Sequence, residues 1–315
     1  MFNRRFLRVK ILQALYAYYQ SDQSGIAKPL KELHHSIDRT YDLLLFMLSF
    51  PIELKYRGEL RIEEAMKKFL PGEEDLNPNR KFVDNEVIAK LMSSKKLTLL
   101  SKSRGISWDD QQESILKFYK KLRENEVYKT YMSDGIDSYA NDREMVVSIY
   151  KQLLPEFDLF GQHFQDKSIY WDEEDFDYAS FLVTNLLKKT SQNKDIDSVL
   201  KPVYGNKDDK EFVETLFKKT IVNGEETEKL IIEKTKNWDV DRIALIDMIL
   251  MKLAVTEIMN FNMIPVKVSM NEYIDISKSF STPKSGQFIN GIIDKVVGEL
   301  KINKKFKKVG RGLLD

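Results

Sequence analysis

Residues 265–297 read PVKVSMNEYIDISKSFSTPKSGQFINGIIDKVV, two helix-length patterns divided by a short polar loop. Pro265 marks a turn, and Ser269 followed by Glu272 has the spacing of a capping box that opens a helix through Phe280. Working outward, the preceding stretch 239–260, DVDRIALIDMILMKLAVTEIMN, is apolar nearly all round, with Asp239 placed to cap it. A helix of that kind belongs at the centre of a bundle. Its charges Asp247, Lys252 and Glu257 must therefore be paired, snorkelled or held at an edge.

Helical periodicity continues through the rest of the chain, and no run of strand-like alternation stands out. Glycine and proline sit at punctuation points, among them Pro51, Pro71-Gly72, Pro155, Gly205 and Gly224. The fold class is all-α. Residues 1–50 supply two amino-terminal helices, Arg4 to Gln20 and about Leu30 to Ser49. Residues 51–205 form a helical, charged insertion or extra domain without a nameable motif; a helix ending near Arg123 is expected to start at Ser107 or Asp109. Residues 206–300 hold four closely connected helices. Residues 301–315 are a basic tail, with Lys301, Lys304, Lys305, Lys307, Lys308 and Arg311 opposed only by Asp315.

Composition narrows the function classes. Charged residues are 31 % of the chain with both signs interspersed, which suits helices with solvated faces. The net charge of +1 gives no global pull toward nucleic acid, so any basic surface must be local. The absence of cysteine removes disulfides, thiolate metal sites and a cysteine nucleophile. His34, His35 and His163 lack metal-ligand spacing, and the acids of WDEEDFDY (171–178) fit the first turn of a helix better than a cation site. No phosphate loop, nucleophile elbow or dinucleotide fingerprint is present. An enzyme is not expected, nor a cofactor or metal. The start MFNRRFLRVK has no signal core, and the longest apolar run, Leu43 to Phe50, is far short of the roughly 20 residues a membrane helix needs. A cytoplasmic protein without a membrane segment is expected.

On a helical wheel the first helix separates into two stripes. Leu7, Ile11, Ala14, Leu15 and Tyr18 face the core; Arg4, Arg5, Arg8 and Tyr16 lie on an adjacent side, with Leu12 among them. No acid precedes Asp22, so the stripe is locally positive. Guanidinium groups pair with phosphates and a tyrosine ring stacks a base, for about 1–3 kcal/mol. The plain alternative is an ordinary solvated face with Tyr16 partly packed.

The quoted carboxy-terminal stretch resembles the signature of the NusB family of transcription antitermination factors. Its elements occur in order as Pro265, Val268, Asn271-Glu272, Lys278-Ser279-Phe280, Ser285, Phe288-Ile289-Asn290-Gly291 and Asp294. The first helix adds QALY (Gln13 to Tyr16) behind the arginines, similar to the family's amino-terminal RNA-binding helix. The resemblance covers the first two helices and Glu211 to Leu300; the middle of the chain departs from it.

The resemblance implies two packed helical sub-bundles carrying a large helical insertion. It implies binding of boxA-type single-stranded RNA together with a NusE-type small-subunit ribosomal protein, within an RNA polymerase complex that reads through terminators, notably on ribosomal RNA operons. By motif position, Arg4, Arg5, Arg8 and Tyr16 are expected to contact RNA from the first helix, and Lys284, Gln287, Phe288 and Asn290 from the later loop and helix start. A helix amino-terminus offers free N–H groups to phosphate independently of any family, with Ser285 and Lys284 as added donors. Phe288 reads equally as a core anchor, and Asn290 as a brace of the turn. Asp247 matches a position at the ribosomal-protein interface, with a rim salt bridge as its other reading. A homodimer that hides the RNA surface is a further expectation of the family, and monomer and dimer both stay open. The basic tail reads either as an extension of the RNA footprint or as a disordered solubilising segment. Two other functions stay open: a protein-binding adaptor that works through the insertion, and a relative of the helical domain fused to ribosomal RNA methyltransferases, lacking their catalytic part.

Overall fold

The computed structural model describes residues 2–21, 25–157, 160, 164, 167–235 and 243–313. In chain order the main helices are α1 (Arg4–Gln20), α2 (Ala27–Met66), α3 (Glu86–Ser93), α4 (Lys95–Arg104), α5 (Gln112–Glu124), α6 (Glu126–Ser133) and α7 (Tyr139–Ser148). They continue as α8 (Glu173–Lys188), α9 (Lys207–Val222), α10 (Gly224–Lys234), α11 (Leu245–Asn260), α12 (Val266–Phe280) and α13 (Ser285–Ile302). The only β pairing among the described residues is an isolated Ser191–Lys194 bridge in a turn. The all-α expectation holds.

The chain divides into two compact units, Met1–Ile37 with Val203–Asp315, and Asp38–Pro202. In the first, α11 packs against α1, α9, α10, α12 and α13. Every residue from Met248 to Ile258 is buried, as an all-round apolar helix requires. Among the described residues, the region expected to hold four helices holds five, because the chain from Lys207 to Lys234 turns at Asn223–Gly224 and starts afresh. Asp239 lies outside the described residues; the described helix starts at Leu245. Ser269 is not a cap. The helix opens one turn earlier on Pro265, which leaves Ser269 buried inside it.

The second unit is built on the remainder of α2. That helix runs through Pro51, where the sequence suggested a break. Proline has no N–H for the Met47 carbonyl four residues back. The Tyr150 hydroxyl donates to that carbonyl instead, at 2.6 Å, so the loss is made good from another element. Around it, Phe46, Phe50, Trp108, Phe118, Phe160, Phe164 and Trp171 interlock with ring centroids 5.0–5.9 Å apart. A helix begins at Asp109, where Ser107 Oγ accepts from the Asp109 N–H, and continues as α5. The acids of 171–178 behave as the macrodipole suggests: Asp172 caps α8 by accepting from the Asp175 N–H at 2.8 Å.

Candidate nucleic-acid interface

At the amino end of α1 the three arginines differ sharply in setting. Arg8 is 3 % exposed. Its guanidinium donates twice to Glu257 on α11, at 2.8 and 2.7 Å, and lies 3.4 Å from Glu272 on α12. Glu257 also accepts from Ser269 Oγ at 2.7 Å and from the Tyr273 hydroxyl at 2.8 Å, so both its oxygens are satisfied. Burial works against the Arg8 charge, yet the hydrogen bonds and charge of Glu257 outweigh it and hold its pKa above the ordinary arginine value. Burial, followed by the Glu257 charge, pushes the Tyr273 hydroxyl well above the usual phenol range, so it stays a donor.

Arg5 is half exposed. It donates to Glu272 at 2.9 and 3.1 Å and to Asp275 at 2.9 Å, and Asp275 is shared with Lys278 at 2.7 Å. Arg4 lies 3.6 Å from Asp209 on α9, with its guanidinium 4.9 Å from the Phe212 ring centre. Tyr16, a turn from the far end of α1, is exposed, while Leu7, Ile11, Leu12 and Leu15 are buried. Two expectations are corrected here. The arginines do not form one open stripe, because Arg8 is spent inside the bundle, and Leu12 faces the core rather than the stripe. Ala14 and Tyr18 are only partly covered.

The second candidate set gathers at the start of α13. Lys284, Gln287 and Asn290 are exposed and Phe288 is half-buried. The helix opens with no side-chain cap and no acid in its first turn, which leaves N–H groups for solvent or an anion. Ser285 is not one of the open donors. It is buried and donates to Asp247 Oδ2 at 2.8 Å, with Ser281 and Thr282 hydroxyls at 3.0 and 2.8 Å. Asp247 is itself 6 % exposed, with Oδ1 lacking a hydrogen-bond partner. Its expected place as a direct partner contact is therefore corrected: a covered carboxylate anchors the start of α13 and presents nothing to a partner. Lys252, the third charge on α11, donates to Glu228 at 2.6 Å.

A sequence model described as the NusB family matches residues 178–298. This part of the chain belongs to the NusB family. The relatives it is similar to include transcription antitermination proteins NusB of Salinibacter ruber (42 % identical over 105 residues, 33 % of this chain and 66 % of that protein). Those of Chloroherpeton thalassium (39 % over 106 residues, 34 % and 50 %) and Natranaerobius thermophilus (37 % over 90 residues, 29 % and 65 %) are also similar. The chain thus spans just under two thirds, or half, of the length of these relatives. No solved structure matches it significantly.

The NusB stretch contains Asp247, Lys284, Gln287, Phe288 and Asn290, and also Glu257, Glu272 and Asp275, the acids that hold Arg8 and Arg5. It does not contain α1. That helix joins the NusB bundle through ion pairs spanning 249 to 270 positions of sequence. The wheel could not show these acids. The one sequence signal for Glu257 was a carboxylate on a helix with no polar face.

His34 Nδ1 lies 2.5 Å from the Tyr204 hydroxyl, and Nε2 3.5 Å from Glu214. His163 is outside the described residues. No group of metal-ligating side chains occurs among the described residues, and no helix among them is long and apolar enough to cross a membrane.

Proposed function

We propose that this chain is a non-catalytic transcription antitermination factor that binds boxA-type single-stranded RNA together with a NusE-type small-subunit ribosomal protein. In this reading it acts within an RNA polymerase complex on transcripts such as those of ribosomal RNA operons. The observation that carries it is the docking of α1 on the NusB bundle with Arg5, Arg4 and Tyr16 left at the surface. The antitermination role is supported by the similarity to transcription antitermination proteins NusB.

Two tiers of arginine serve this function differently. An exposed ion pair contributes about 0–1 kcal/mol, so Arg5 can trade Glu272 and Asp275 for phosphate at little cost. Arg8 cannot, since removing one partner of a buried pair costs about 3–5 kcal/mol. Arg8 therefore positions α1, while Arg4, Arg5 and Tyr16 take the RNA. Lys278 shares Asp275 with Arg5 and stands near the end of α12, six residues before Lys284, so it offers the strand a further cation along that helix.

The test is binding of a short boxA-like RNA with and without the NusE-type protein of the same organism. Tighter binding with the partner, lost in an Arg4/Arg5→Ala variant that keeps its unfolding midpoint, supports the reading. RNA binding absent under both conditions overturns it in favour of a protein-binding adaptor.

A further inference from the structure

The basic tail is folded onto the bundle. α13 ends in a tight turn in which the Lys305 N–H reaches the Leu300 carbonyl at 2.9 Å and the Lys304 N–H the Lys301 carbonyl at 3.2 Å. Lys304 sits at φ 51°, the left-handed position that helix ends usually give to glycine. The chain then doubles back under the end of α11. Lys308 Nζ donates to the Ile258 and Phe261 carbonyls at 2.9 and 3.0 Å, and the Val309 N–H to the Asn262 carbonyl at 3.0 Å. Gly312 packs so closely there that a Cβ would stand 2.0 Å from the Asn262 carbonyl oxygen.

This places the segment beside the arginine end of α1. Arg4 lies over Phe212, the Phe212 and Phe261 rings are 4.9 Å apart, and Phe261 is the residue whose carbonyl Lys308 holds. Lys301, Lys304, Lys305, Lys307 and Arg311 are exposed. Among the described residues their side chains make no hydrogen bond or ion pair, and no acid occurs between residues 300 and 313. The arginines of α1 each have a carboxylate; among the described residues these five cations have none. A lysine in the left-handed position usually given to glycine, within a pinned row that has no ion pair among the described residues, suits a surface kept for an anion.

We propose that residues 301–311 form a folded phosphate rail that continues the RNA path beyond Arg4, an assignment that rests on the RNA-binding reading above. Lys308 pins the rail, and the exposed lysines contact phosphates without reading bases.

The experiment measures binding of a boxA-like RNA, and of an oligouridine of equal length, against salt for the full chain and three variants. In Lys304/Lys305/Lys307→Gln, affinity should fall equally for both RNAs, and the slope of log K on log salt should shrink by about 2, at roughly 0.7 per single-strand phosphate. Lys304→Gly should raise or keep the unfolding midpoint, since it relieves the backbone, yet weaken RNA binding. Gly312→Val, which keeps every charge but displaces the rail, should weaken binding as well. Wild-type affinity and slope in the triple variant, while Arg4/Arg5→Gln loses binding, would overturn the rail and leave the RNA reading intact. No RNA binding by the unaltered chain would overturn both.

Discussion

The two ends of the first unit carry their charges in opposite ways. At the arginine end, Arg8 and Glu257 are both buried, four hydrogen bonds converge on one carboxylate, and even the exposed Arg5 holds two acids. At the start of α13 the carboxylate is again buried, but Asp247 is met by a serine hydroxyl, and Lys284 stands exposed above an uncapped helix terminus. One end uses cations to hold a helix; the other uses a neutral hydroxyl and leaves its cation open. A positive residue count therefore says little about which cations a ligand can reach.

The most severe way to break this contrast is at Glu257. Arg8→Ala or Glu257→Ala should destabilise the first unit by about 3–5 kcal/mol, read from denaturant unfolding, because each leaves a buried charge without its partner. Arg8→Lys should recover only part of that, since an ammonium cannot pair both carboxylate oxygens through a fork. At the other end, Asp247→Ala should cost about 1–2 kcal/mol, as it strips the buried Ser285 hydroxyl of its acceptor without stranding a counter-charge. A loss as large as that at Glu257 would mean the two ends are built alike.

Arg5→Ala sharpens the comparison on a smaller scale. We expect less than about 1 kcal/mol in stability and a weakening of RNA binding of roughly tenfold, the equivalent of about 1.4 kcal/mol. Lys284→Ala should have the smallest structural effect, within about 0.5 kcal/mol, with a measurable loss in RNA affinity and a shallower salt dependence. If Lys284→Ala leaves the RNA titration untouched, the start of α13 is not part of the interface.

Much of this architecture was legible in the sequence, and the exceptions share a cause. The nearly all-round apolar pattern of 239–260 announced a central helix, which the structure describes from Leu245, and its three charges announced that each needed a partner. The signature from Pro265 to Asp294 marked the family before any geometry was known. What periodicity cannot carry is a partner far away in the chain. Pro51 reads as a break because nothing nearby shows that Tyr150 will take the carbonyl it leaves free. Arg8 reads as solvated because Glu257 lies 249 positions away. Ser269 and Glu272 have capping-box spacing, yet Ser269 serves Glu257 and Glu272 serves Arg5. The basic tail looks unstructured in composition, and the contacts of Lys308, Val309 and Gly312 with the end of α11 and the chain after it show that it is ordered.

The most direct test of the two-tier arrangement is a salt titration of RNA binding by the unaltered chain and by Arg4/Arg5→Gln, with unfolding midpoints measured on the same samples. We expect the midpoint to stay within about 1 kcal/mol while the salt slope shrinks by about 1.4, the share of two single-strand phosphates. An unchanged slope, or a collapse in stability like that of Arg8→Ala, would contradict the assignment of Arg4 and Arg5 to RNA and of Arg8 to the fold.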